Sequence, residues 1–139
     1  MKKEFVPYAP SLRMKALGFD EPCFGWFRST LIPSNFTEFF LETEFGMNES
    51  PSDWVNSNFL DKACSAPLYQ QAFRWFREKY NAVCEIIRKE DGNHSEFIGW
   101  VFINNRKIDV VSYWDSKTYE EAELECLTKL IEIVESEKK

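Results

Sequence analysis

The sequence lacks most of the features by which enzymes and membrane proteins are recognised. Its 139 residues include one histidine, six prolines and five glycines, and the glycines are isolated from one another. Isolated glycines cannot form a glycine-rich loop that cradles phosphates. The purely apolar runs span only a few residues, whereas a membrane-spanning helix needs about 20. These absences exclude collagen-like, low-complexity and membrane-spanning classes.

Cysteines that could be paired are also missing. Cys23, Cys64, Cys84 and Cys126 lie in four different segments, and none forms a Cys-x-x-Cys pair. Such scattered cysteines predict free thiols rather than disulfides. No apolar run follows the lysines near the start of the sequence, so no signal peptide is expected. Together these observations predict a cytoplasmic protein that does not interact with a membrane.

Positive charge is scarce, because 17 Lys and Arg residues face 23 Asp and Glu residues, for a net charge of -6 and a pI of about 4.9. That balance disfavours nucleic acids and anionic membranes as partners. It is also the only feature that supports the hypothesis that the chain is an acidic mimic of DNA. Hydrophobic residues make up 44% of the chain and aromatic residues 17%. The composition and length predict a single α+β domain over residues 1–139.

Periodicity and turn signals place most of the elements. Helices are predicted over 10–17 (ended by Gly18), over 67–80 and from Thr118 onwards, and strands over 23–29, 82–89, 96–103 and 106–114. Short turns between the last three strands predict an antiparallel meander. The expected fold is an α+β domain with an antiparallel sheet of three to five strands. Its helices pack mainly on one face, in the order α-β-(β)-α-β-β-β-α.

Residues 31–66 are harder to interpret. They contain one basic residue and six acidic ones, together with several aromatic side chains that are too apolar for a flexible linker. The aromatic residues are Phe36, Phe39, Phe40, Phe45, Trp54 and Phe59. A second strand near 37–43 and a compact packed loop both fit this pattern. We expect an irregular, insertion-like segment.

No catalytic or metal-binding pattern is present. His94 is the only imidazole and falls in a predicted hairpin turn, so neither a metal site nor a nucleophile–histidine pair is expected. The order α-β-β-β-α resembles that of double-stranded-RNA-binding domains, which carry basic residues at the start of the last helix. Here those positions hold Glu120, Glu121 and Glu123. We therefore predict no metal, no cofactor and no nucleic-acid partner.

One helix opposes the overall charge of the chain. Arg74 and Arg77 lie one turn apart beside Trp75, and they could bind a carboxylate or phosphate. The candidate binding residues are Gln70, Arg74, Trp75 and Arg77. The alternative is that the arginines pair with nearby acids on a solvated face. Trp26, Trp75 and Trp100 are expected to be core or half-buried residues.

Five stretches of the sequence are distinctive when they are taken together. They read FVPY at 5–8, LGFDEPCF at 17–24, APLYQQAFRWFREKY at 66–80, YEEAEL at 119–124 and LIE at 130–132. These stretches resemble a family of short uncharacterised proteins from gut anaerobes, their mobile elements and their phages. The resemblance implies a cytoplasmic protein of phage or prophage type. It implies no activity and carries no functional residue to this chain.

The favoured hypothesis is a non-enzymatic, acidic protein-interaction module with an unidentified protein partner. A second hypothesis is an anti-defence protein that binds a small nucleotide signal through Arg74 and Arg77. A third is an enzyme that uses carboxylates alone, which would need a concave pocket holding two acids with displaced pKa values. Oligomeric state cannot be predicted from this sequence.

Overall fold

The computed structural model describes residues 2–31, 37–92, 94–104, 106–113 and 118–137. Its main elements are α1 (Tyr8–Ala16), β1 (Gly25–Leu31), β2 (Thr37–Glu42), β3 (Cys64–Ala66), α2 (Tyr69–Tyr80), β4 (Ala82–Asp91), β5 (His94–Ile103), β6 (Arg106–Tyr113) and α3 (Tyr119–Glu137). The strands form two antiparallel sheets, ordered β2-β1-β3 and β4-β5-β6. The predicted α+β class and the antiparallel pairing are confirmed, but the strands divide between two sheets, whereas the sequence predicted one.

The chain divides into two compact units, Met1–Tyr69 and Gln70–Lys139, which we call unit 1 and unit 2. Unit 1 contains α1 and the sheet of β1 to β3, and unit 2 contains most of α2, the sheet of β4 to β6, and α3. The sequence analysis assigned one domain to residues 1–139, and this assignment stays a prediction.

Helix α1 ends at the glycine that the sequence singles out. Gly18 has a φ of 101°, a left-handed conformation that costs glycine little. The Gly18 N–H donates to the Lys15 carbonyl at 3.0 Å, and the Phe19 N–H donates to the Met14 carbonyl at 3.0 Å. This pair of bonds is a Schellman cap. It turns the chain so that Phe19 is buried.

The sheet of unit 1 has two distinct faces because side chains alternate along each strand. Phe27, Phe39 and Leu41 point to the face that packs against Tyr8 and other side chains of the N-terminal segment, and we call it the inner face. The rings of Tyr8 and Phe39 stack with their centroids 4.3 Å apart.

The opposite face of this sheet carries Trp26, Arg28, Phe40 and Glu42, and we call it the outer face. Trp26 pairs with Glu42 across β1 and β2, and Arg28 pairs with Phe40. Every second residue of a strand lies on the same side, so these four side chains are neighbours. They prove central to the candidate site.

Unit 1 settles one alternative that the sequence left open and adds one strand that was not predicted. Strand β2 forms at Thr37–Glu42, which resolves the choice between a strand and a packed loop over 37–43. Strand β3, at Cys64–Ala66, was not predicted, and it pairs with β1 from Gly25↔Ala66 to Phe27↔Cys64. Three residues are too few to show a period of two, so β3 leaves no pattern to detect.

Unit 2 follows the predicted meander. Strands β4 and β5 pair in register from Ala82↔Ile103 to Asp91↔His94, and β5 pairs with β6. Gly92 and Asn104, at the two turns, have φ values of 62° and 54°, as the turn signals predict. The last predicted strand residue, Trp114, lies outside the described residues.

Helix α3 packs against all three strands of this sheet. Its buried side is formed by Ala122, Cys126, Leu127, Leu130, Ile131 and Val134. The Thr118 hydroxyl accepts a hydrogen bond from the Glu121 N–H at 3.3 Å, which is half of the predicted capping box. None of the described helices combines the length and the apolar character that crossing a bilayer requires.

Candidate binding site

The residues that the sequence analysis proposed for binding lie on α2 and divide into two groups. Gln70, Arg74 and Arg77 are exposed, and their spacing places them on one side of the helix. Trp75 is only 6% exposed, so its ring belongs to the packed interior, as expected for a core tryptophan. The Lys79 ammonium lies 5.1 Å from the centroid of that ring. Helix α2 thus offers exposed polar groups but no tryptophan surface.

The four cysteines are free thiols, and the surroundings of Cys64 and Cys84 keep those two protonated. Burial raises the pKa of Cys64 to about 12, against an opposing effect of Lys15. The pKa of Cys84 is also raised, first by a hydrogen bond with the Cys126 side chain and then by burial. A thiolate, not a thiol, is the nucleophile, so Cys64 and Cys84 are poor nucleophiles at neutral pH. His94 opens β5, and its side chain lies outside the described residues.

One carboxyl group of α3 titrates near neutrality. Burial, and to a smaller extent the neighbouring carboxylate of Glu120, together raise the pKa of Glu123 from 4.5 to about 7. The folded chain therefore retains this proton to about pH 7, whereas the unfolded chain loses it near pH 4.5. Consequently the free energy of unfolding falls as the pH rises through that window.

Replacing Glu123 with glutamine should stabilise the protein at pH 8 by about 1 kcal/mol and change little at pH 4. The figure is well below the full linkage value because the side chain is only half-buried, and water screens its charge. Urea unfolding at the two pH values measures the difference. Glu137→Gln, at the exposed end of the same helix, is the control. A Glu123→Gln variant that is less stable than the parent at pH 8 would contradict this account.

A depression of about 400 Å³ lies on the outer face of unit 1. Strands β1 and β2 contribute Trp26, Arg28 and Glu42, and the segment after β2 contributes the other lining residues. These are Glu44, Phe45, Gly46, Glu49 and Trp54. We call this feature the outer-face depression. Its volume lies in the range of ordinary ligand pockets.

Two aromatic stacks build its walls. Trp26 stacks on Phe59 with ring centroids 4.7 Å apart and an interplanar angle of 5°. Phe45 stacks on Trp54 with centroids 4.0 Å apart and an angle of 21°. Trp54 is buried, whereas Trp26 and Phe45 are partly exposed. The depression therefore has rigid apolar sides that still present ring surface to solvent.

Hydrogen bonds fix two of the three carboxylates. Glu49 accepts from the Trp54 indole N–H at 2.9 Å and from the Gly46 N–H at 2.7 Å. Glu42 accepts from the Glu44 N–H at 3.0 Å, and its other oxygen lies 3.4 Å from Arg28 Nε. The exposed Glu44 carboxylate makes no such bond to any described residue. The rim thus holds two oriented acids and one that is available to a ligand.

The segment that carries these residues is held to the rest of unit 1 by polar contacts, which are buried at Asn56 and partly open to solvent at Lys15. Asn56 Nδ2 donates to the Phe19 carbonyl at 2.6 Å, and the Ser65 N–H donates to Asn56 Oδ1 at 2.8 Å. Lys15 Nζ donates to the carbonyls of Phe59, Asp61 and Ala63 at 3.0, 3.0 and 2.7 Å. These bonds hold the irregular stretch between β2 and β3 in place.

The arrangement presents charged and aromatic groups to a ligand. Within the described ranges, no group of three or more His, Cys, Asp or Glu side chains could hold a metal ion. Acids and aromatic rings over an open hollow favour a cationic group with apolar surroundings. None of the lining residues was among the candidates from the sequence. The one signal was the joint enrichment of acids and aromatics in 31–66.

Comparisons of the chain with protein-family models, with curated proteins and with solved structures found no match.

Proposed function

We propose that this chain is a cytoplasmic, non-enzymatic protein-interaction module that binds a partner protein on the outer face of unit 1. The observation that carries the proposal is the outer-face depression, because it places partly exposed aromatic rings and charged side chains together on one side of a sheet. Protein interfaces characteristically combine aromatic anchors with a polar rim.

Phe40 extends this surface beyond the depression. It is 45% exposed and pairs directly with Arg28, which lines the hollow. Covering an aromatic side chain that is exposed in the middle of a strand is favourable, because it removes apolar surface from water. The outer face therefore offers an apolar contact next to a charged hollow, which is how interface centres are commonly arranged.

The other hypotheses receive less support from these features. Phosphates would meet three glutamates in the outer-face depression, so the nucleotide-signal hypothesis depends on Gln70, Arg74 and Arg77 alone. A carboxylate-only enzyme would need two acids with displaced pKa values in one pocket, and Glu123 lies in unit 2, outside this hollow. The phage or mobile-element origin stays a prediction from the resemblance.

Photo-crosslinking tests the proposal. Replacing Phe40 with p-benzoylphenylalanine should give one dominant crosslinked protein in a bacterial host lysate. The same replacement at Ile87, which is 49% exposed on β4, is the matched control and should give none. Mass spectrometry of the products identifies the partner. Equal labelling from both positions, or no product from position 40, would count against the outer face as the interface.

A further inference from the structure

We propose that the outer-face depression receives the guanidinium group of an arginine side chain from the partner protein. This inference rests on the function proposed above and names the chemistry of its central contact. It goes beyond that function because it specifies one residue type on the partner and one hollow on this chain.

Charge selects the sign of the occupant. The lining holds three glutamates and one arginine, so its net formal charge is -2. Because Arg28 is already drawn toward Glu42, at 3.4 Å, its positive charge is partly neutralised locally. An anion entering the hollow would meet unfavourable charge, and a cation would meet favourable charge.

The aromatic walls select the shape of the cation. A guanidinium is planar and weakly hydrated, so it can stack on a ring while its edges donate to a carboxylate. Trp26 and Phe45 present partly exposed ring surface in the hollow, and the exposed Glu44 lies on its rim. An ammonium is a more strongly hydrated point charge, so its contact with the flat aromatic rings is less favourable. Arginine is therefore favoured over lysine.

The hollow is also organised before a ligand arrives. Both Glu49 oxygens accept hydrogen bonds from Trp54 and Gly46, and the Phe45–Trp54 stack holds the adjacent ring. Fewer side chains must therefore be ordered on binding, which strengthens an otherwise small contact. Glu44 is the carboxylate left to form a charge-assisted pair with the incoming group.

An NMR titration with Nα-acetyl-arginine methylamide tests the inference on the full chain. The indole N–H signals of Trp26 and Trp54 should shift progressively with concentration and saturate. The lysine analogue should bind more weakly, and the citrulline analogue, which has nearly the same shape without charge, should cause no saturable shift. Glu44→Gln should weaken arginine binding about fivefold, whereas Glu137→Gln, on α3, should leave it unchanged.

Three results would overturn the inference. One is an equal response to the arginine and citrulline analogues, because charge would then play no part. A second is spermidine binding as tightly as the arginine analogue, because a flexible polyamine lacks the planar group. The third is that the crosslink from position 40 forms but the arginine analogue neither binds nor competes with it; the proposed function then stands and this inference fails. Arginine binding without any crosslinked partner would instead contradict the proposed function.

Discussion

Replacing Asn56 with alanine is expected to lower the free energy of unfolding by about 3 kcal/mol. Asn56 is only 5% exposed, and its amide satisfies two backbone groups at once, the Phe19 carbonyl and the Ser65 N–H. Alanine would leave both groups without that partner, and each orphaned buried group costs about 1–3 kcal/mol. Urea unfolding followed by tryptophan fluorescence measures the loss.

Asn58→Ala provides a matched control for this prediction. Asn58 lies two residues further along the same turn, and its amide donates to the Asp53 carbonyl at 3.0 Å from an exposed position. Water can replace that bond, so the control should lose no more than about 0.5 kcal/mol. A loss for Asn56→Ala no larger than for Asn58→Ala would show that the buried amide does not hold the segment.

Replacing Lys15 with methionine is expected to cost about 2 kcal/mol. Methionine keeps most of the apolar stem but removes all three ammonium donors, which bind the carbonyls of Phe59, Asp61 and Ala63. Asp61 has a φ of 53°, so the chain turns through a left-handed residue where these carbonyls converge. The loss stays below the sum of three charge-assisted bonds because water reaches part of this site.

The control here is Lys62→Met, which removes a positive charge from an exposed side chain in the same turn. It should change the free energy of unfolding by no more than about 0.5 kcal/mol. Thermal and urea unfolding of the two variants, side by side, separate the loss of three bonds from the loss of one charge. Equal destabilisation would indicate that net charge, not the carbonyl contacts of Lys15, stabilises unit 1.

The parts of the fold that the sequence predicts well are those that depend on neighbours in the chain. Gly18 ends α1, and Gly92 and Asn104 form turns, because each adopts positive φ values that the residue type itself tolerates. The alternation within β4 is likewise visible over a few residues, and β5 stands out as a short apolar run. Local chemistry is sufficient for these elements, so a single sequence reveals them.

The candidate site could not be predicted because distant residues assemble it. Trp26 reaches Glu42 only through the register of β1 and β2, and Asn56 reaches Phe19 and Ser65 across the unit. The enrichment of acidic and aromatic residues in 31–66 indicates that the segment packs, but it does not indicate which residues the segment packs against. Strand β3 has too few residues to show any alternation. Long-range pairing, rather than local preference, determines all of these features.

The fastening of the segment between β2 and β3 has a consequence for recognition. Because Asn56 and Lys15 hold part of this segment within the folded chain, part of its conformational freedom is lost before a partner binds. A partner then binds to a surface that is already ordered, so less of the binding free energy is spent on ordering a loop. Specificity among candidate partners would then depend on how well the shape of each one complements a surface that is already ordered.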